Sequence, residues 1–100
     1  MNKKNYITLA KKAAAIQIGE LKKIKNVLNK SFANAIDLIA NCKGKIIFAG
    51  IGKSGLIARK ISATFSSVGI PSFFCDPAQA LHGDMGQIEK KDVLIIFSYS

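Results

Sequence analysis

The apolar run KIIFA (residues 45–49) is followed at once by GIGKSG (residues 50–55), and this juxtaposition restricts the fold more than any other feature of the chain. A β-branched and aromatic stretch without polar alternation reads as a strand covered on both faces. Glycines directly behind it read as a strand-to-helix turn, because only a residue without Cβ lets backbone N–H groups close on an anion at a helix N-terminus. The chain is therefore built around a βα unit whose turn is suited to a phosphate or carboxylate.

The rest of the pattern extends that unit in both directions. Ahead of the strand, Ala14, Ile18, Leu21, Ile24 and Leu28 recur at three- and four-residue steps, predicting an amphipathic helix over most of 5–28 that buries one stripe. Ser31 is the expected N-cap of a second helix carrying Phe32, Ala35, Ile36 and Ile39 on one face, with Gly44 as its left-handed stop. Behind the turn, Leu56, Ile57, Ile61, Ala63, Phe65 and Val68 predict a helix ending at Gly69. Pro71 then opens a short strand, PSFFC, which Asp76-Pro77 closes. AQALHGDMG reads as a loop with one helical turn, and Asp92 leads into a third strand, VLIIF. The order ααβαβ(loop)β, with crossover-length connections, predicts an α/β fold with a parallel sheet. The expected division is an N-terminal helical segment, 1–44, and the first part of a ligand-binding domain, 45–100. A chain stopping at the tip of its third strand, where such folds place their ligands, is expected to be truncated.

Composition narrows the function classes. A hydrophobic content of 49% fits one small globular domain, and no apolar run approaches the ~18 residues of a membrane span. No secretory signal is recognisable, so a cytoplasmic location is expected. Cys42 and Cys75 are far apart, no CxxC occurs and His82 is the single histidine, so no metal site, disulfide framework or cofactor is expected. The net charge of +9 is concentrated at the start: eight of the fifteen basic residues lie between Lys3 and Lys30, opposed there only by Glu20. Tyr6 is the only aromatic among them, so a solvated helix face is the reading and neither a nucleic-acid nor a membrane partner is expected. Such a field still draws anionic small molecules.

Three ligands compete for GIGKSG. The triphosphate loop needs a glycine where Ile47 stands inside the strand, which excludes it. The dinucleotide fingerprint GxGxxG is satisfied by Gly50, Gly52 and Gly55, with Asp76 ending the second strand where a ribose-binding acid could sit. From spacing alone a dinucleotide and a smaller phosphate ligand stand even.

The wider sequence separates them by resemblance. GIGKSGLIARKISATFSSVGIPSFF, then HGDMG, then a strand ending in SYS, with DLIANCKGKI ahead of the first strand, resembles the D-arabinose 5-phosphate isomerase family, whose catalytic part is a sugar isomerase (SIS) domain. The resemblance covers nearly the whole chain and implies a flavodoxin-like αβα sandwich. It implies interconversion of D-ribulose 5-phosphate and D-arabinose 5-phosphate, at the entry to the Kdo sugar of lipopolysaccharide, by a homo-oligomer whose sites are shared between subunits. Family members continue through the rest of the SIS domain into two CBS repeats.

Aldose–ketose isomerisation through an enediol needs a proton shuttle and a group to stabilise the developing oxyanion. The resemblance implies Lys53 and His82 as catalytic groups, and Gly52, Ser54, Ser98, Tyr99 and Ser100 as the phosphate-binding turn and loop. Gly50, Gly55, Gly83 and Asp84 are implied as support. From the residues alone, Ser54 could equally cap its helix, Ser98 and Ser100 could simply turn the chain, and His82 could bond a loop carbonyl. The family's acidic catalytic candidates lie beyond Ser100. Rival readings are a non-catalytic SIS-type sugar-phosphate sensor and, behind it, a dinucleotide-binding domain.

Overall fold

The computed structural model describes residues 2–80 and 83–98. By contacts the chain divides into two compact units, residues 1–36 and 37–100.

The first unit is helical. α1 (Lys3–Ile24) is opened by Asn2, whose Oδ1 accepts the Asn5 N–H at 3.0 Å, and Lys22 and Lys23 stand in its last turn, where they complement the helix dipole. It passes into a 3₁₀ turn, Lys25–Val27. The expected buried stripe is not buried. No residue of α1 is enclosed, and Ile18, Leu21 and Leu28 are all more than half exposed, because nothing within the unit lies over that face. α2 (Lys30–Ala40) is capped by Asn29 rather than by Ser31: Asn29 Oδ1 accepts the N–H groups of Ser31 (3.0 Å) and Phe32 (3.3 Å). The Ser31 hydroxyl, already inside the first turn, is two residues too late to do this.

α2 also ends differently from expectation. Gly44 does not adopt a positive φ; among the described residues only Gly52, Gly69 and Gly83 do. The helix runs out after Ala40: the Asn41 N–H still reaches the Asp37 carbonyl (3.0 Å), which the Asn41 side-chain amide also caps (2.8 Å), and the next N–H, of Cys42, makes only a tighter 3₁₀-type bond to Ile39 (3.2 Å). Gly44 is small for a different reason, since a Cβ there would run into Asp92 and Lys91.

The second unit is a three-stranded parallel sheet in the order β2-β1-β3, formed by β1 (Ile46–Gly50), β2 (Ser72–Cys75) and β3 (Val93–Phe97). β1 is central and buried throughout, as its unbroken apolar run predicts. α3 (Lys53–Ser67) covers one face, closing Ile46, Phe48 and Ala58 into a core joined by Ile39, Phe65, Phe74 and Phe97. The Phe48 ring meets Phe65 edge-on at 5.1 Å and stacks on Phe97 at 6.3 Å, arrangements that suit the aromatic quadrupole.

α3 ends where the sequence says it should. Gly69 has φ +88°, its N–H reaches the Ser66 carbonyl at 3.1 Å and the next N–H, of Ile70, reaches Phe65 at 3.0 Å, the paired bonds of a Schellman stop. A serine cluster pins α3 to β2. The Ser72 hydroxyl donates to the Ser62 carbonyl at 2.7 Å, and the Ser66 hydroxyl donates to the Ser72 carbonyl at 3.1 Å. Arg59 lies 4.0 Å over the Phe74 ring.

β3 is an edge strand with two different faces. Val93, Ile95 and Phe97 are half-buried against α3, while Leu94 (46% exposed) and Ile96 (64%) lie open on the other face at one edge of the sheet. The expected loop after β2 contains a short helix α4 (Pro77–Ala80) and a 3₁₀ turn, Asp84–Gln87.

Candidate functional site

Of the polar residues singled out in the sequence, Lys53, Ser54 and Ser98 lie at the C-terminal ends of β1 and β3. Gly52 takes φ +62°, a conformation costly for any residue with a Cβ, and so turns the chain from β1 into the first turn of α3. In that turn the Gly55 N–H is taken by the Ile51 carbonyl (3.3 Å), which leaves the N–H groups of Lys53 and Ser54 as the ones a helix start does not pair internally. Gly50 and Gly55 seat it. A Cβ on Gly55 would lie 2.7 Å from the Gly50 carbonyl oxygen, and one on Gly50 would lie 2.9 Å from the Ser54 carbonyl, so strand end and helix start touch backbone to backbone. The N-terminus of α3, with its positive dipole end, is thus fixed against the tip of β1.

Beside it lies a cavity of about 570 Å³ between the tips of all three strands and α4. Ser54 and Ser98 are the polar residues of its lining, and Gly50 brings backbone. The remaining wall is apolar, with Ala49, Cys75, Leu94 and Ile96 from the open sheet face and Pro77, Ala80 and Ile88 from the segments that follow β2. Ser54 is half-buried, whereas Lys53 is exposed and stands beside the lining rather than in it. Gly83 has φ +123° and precedes the 3₁₀ turn that Asp84 opens. His82, Tyr99 and Ser100 lie outside the described residues.

Asp76, the residue a dinucleotide reading would place on a ribose, is occupied with the fold. Its carboxylate accepts the Ala78 N–H at 2.9 Å and its carbonyl accepts the Ala80 N–H at 2.9 Å, so it caps α4. Cys42 is half-buried, its thiol directed at the carbonyls of Lys91 (3.5 Å) and Lys45 (3.6 Å), and Cys75 is buried. Among the described residues no three His, Cys, Asp or Glu side chains come together as a metal site, and no helix is long and apolar enough to cross a membrane.

The strongest electrostatic feature was not legible in the sequence. At the opposite, N-terminal end of the sheet the Asp92 side chain is fully enclosed; it accepts the N–H groups of Lys45 and Glu89, both at 2.7 Å, and pairs with Lys45 Nζ at 3.2 Å. The Lys45 N–H, then the Glu89 N–H and the Lys45 ammonium hold its carboxyl down at about 2 against the upward push of burial. Its main partner is 47 residues away in sequence, so no local pattern announces it. Ile88, Leu94 and Ile96 were likewise assigned no role in the site. The phase of the exposed residues in β3 is the signal that could have placed the last two on the cavity side.

Comparison with known proteins agrees with this geometry. The arabinose 5-phosphate isomerases GutQ of Salmonella typhi and of Escherichia coli K12 are 47% and 46% identical over 85 residues, 85% of this chain and 26% of each relative. A solved Escherichia coli CFT073 protein in complex with arabinose 5-phosphate superposes with a TM-score of 0.82 at 45% identity, covering 100% of this chain and 53% of that one. The chain therefore spans about a quarter of the curated relatives and half of the solved one. The SIS domain matches residues 38–100, from within α2 to the end. With a parallel sheet, a glycine-seated helix start at its tip and these relatives in agreement, the chain belongs to the SIS domain family.

Proposed function

We propose that this chain is the sugar-phosphate-binding part of an aldose–ketose isomerase that interconverts D-ribulose 5-phosphate and D-arabinose 5-phosphate. The observation that carries the reading is the 46–47% identity to arabinose 5-phosphate isomerases through a stretch containing the glycine turn. The likeness to a protein solved with arabinose 5-phosphate supports the choice of ligand.

In this reading the phosphate sits at the start of α3. It is held by backbone N–H groups of the Gly52 turn and by the hydroxyls of Ser54 and Ser98, with Tyr99 and Ser100 continuing the loop. Anchoring there leaves C1 and C2 of the sugar free to reach the groups that move the proton. Lys53 supplies positive charge to the enediolate oxygen, and His82 shuttles a proton between carbon and oxygen, as an imidazole is suited to do near neutral pH. Gly50 and Gly55 keep the helix start in place, while Gly83 and Asp84 shape the loop after His82. No cofactor or metal enters the scheme. The enzyme works in the cytoplasm as a homo-oligomer and feeds lipopolysaccharide precursor synthesis.

The test is an assay of the protein that carries this chain. Purified and metal-stripped, it should convert ribulose 5-phosphate to arabinose 5-phosphate and, in deuterated water, introduce deuterium at C2 of the product. Tight binding of the sugar phosphate without turnover would replace this reading with that of a regulatory SIS module.

A further inference from the structure

The base of the sheet holds a device that bears on the cavity at its tip. The carboxylate of Asp92 is enclosed, and both its oxygens are used by partners from separate segments: Oδ1 accepts the Lys45 N–H where the chain enters β1, and Oδ2 accepts the Glu89 N–H. The Asp92 N–H bonds back to the Glu89 carbonyl at 3.0 Å, closing the turn 89–92. Gly44 leaves the room this carboxylate fills. Directly ahead of Glu89 comes Ile88, a wall of the cavity, and ahead of that the 3₁₀ turn Asp84–Gln87, which follows His82 in sequence. Between that turn and β3, Asp92 makes the short ties within the segment, to the Glu89 N–H (2.7 Å) and carbonyl (3.0 Å), beside the longer contact of the Cys42 thiol with the Lys91 carbonyl (3.5 Å) and an exposed Lys91–Glu89 ion pair (3.4 Å).

We propose that Asp92 is a positioning residue of the proposed site, anchoring the segment Gly83–Glu89 to the base of β1 so that Ile88 and the turn before it are held at the cavity. The inference rests on the isomerase reading for its kinetic consequence, although the anchor itself does not depend on it. Charge is what the anchor requires. A carboxylate offers acceptors on both oxygens, whereas an amide of the same shape turns one of them into a donor facing an N–H or an ammonium. The low pKa keeps the anchor ionised throughout the working range of an enzyme.

The test uses the whole protein that carries this chain, with Asp92→Asn and the milder Lys45→Met, which removes the counter-charge and leaves both backbone bonds. Ribulose 5-phosphate turnover, inhibition by inorganic phosphate and amide hydrogen exchange are measured together. For Asp92→Asn, kcat should fall about tenfold, because a displaced wall misplaces the reacting carbons, while the phosphate inhibition constant stays within about twofold. Exchange should accelerate in 83–89 and not in α3. Lys45→Met should show the same split at about twofold, which keeps the proposal open to test if Asp92→Asn does not fold. A lowered melting temperature with unchanged kcat per folded molecule would make Asp92 merely structural and overturn the proposal. Should the wild-type protein prove not to be an isomerase, faster exchange confined to 83–89 would still support the anchor, and uniform acceleration would refute it.

Discussion

The two ends of this sheet use polar chemistry in opposite ways. At the base, one buried carboxylate has both oxygens committed to protein N–H groups and a lysine beside it. At the tip, the polar residues that line the cavity are neutral: Ser54 and Ser98 border an otherwise apolar wall, with the start of α3 next to it and Lys53 exposed at its side. A group satisfied within the fold contributes to stability and order, whereas donors at a helix start beside a cavity are suited to an incoming anion. In the proposed reading the same strands thus carry a structural end and a binding end, as open parallel sheets generally do.

The largest effect that could break this contrast comes from charge at the tip. Lys53→Ala should lower kcat about 100-fold with little change in phosphate affinity, since a cation on the enediolate acts in the transition state. Steady-state kinetics on the protein that carries this chain would measure it. A raised KM at unchanged kcat would make Lys53 a binding residue only.

Next comes the seating of the helix. Gly55→Ala places a methyl 2.7 Å from the Gly50 carbonyl oxygen, and neither backbone can yield without moving α3 from β1. We expect a loss of about 2 kcal/mol in urea unfolding together with weakened phosphate binding. An unperturbed Gly55→Ala protein would show that the contact is softer than the geometry requires.

At the base, the effect is one of pH. The Asp92 carboxyl is held at about 2 in the fold against an ordinary value of 3.8, so the folded state favours the ionised form. The stability it contributes is complete above pH ~4 and is lost as pH falls through the folded value near 2. The stability gap between wild type and Asp92→Asn should therefore narrow on acidification across that window, as followed by chemical unfolding at a series of pH values. A gap independent of pH would mean that the carboxylate is not held as described.

How much of this was legible in the sequence depends on how local the cause is. β1, the Gly52 turn and the Gly69 stop follow from residues within one or two turns of each other, and the structure has them where the pattern puts them. Gly44 and Ser31 were read by the same local rules and misplaced. Gly44 makes room for a side chain 48 positions later, and Ser31 loses the cap to an asparagine that reaches two N–H groups. Asp92 reads as an ordinary residue before a strand because its partner Lys45, just ahead of β1, is brought near only by the parallel pairing of β1 and β3. The exposed stripe on α1 shows the reverse limit: periodicity states that a face is apolar, not that anything in the chain covers it.

The smallest predicted effect lies between the two ends. Arg59 stacks over Phe74 at 4.0 Å on an exposed stretch of α3, so Arg59→Leu should lower stability by only about 0.5 kcal/mol and leave ligand binding unchanged. Thermal melts alongside phosphate inhibition would check both halves, and a binding defect would extend the functional end well down α3.

The division between a binding tip and a structural base is tested most directly by titrating arabinose 5-phosphate calorimetrically into the protein that carries this chain and into its Ser54→Ala and Lys45→Met forms. Removing one neutral phosphate donor at the tip should weaken binding about tenfold, while removing the lysine at the base should leave affinity within about twofold of wild type. Equal losses from the two substitutions, or undiminished affinity in Ser54→Ala, would contradict the assignment of the sugar phosphate to the α3 end of the sheet.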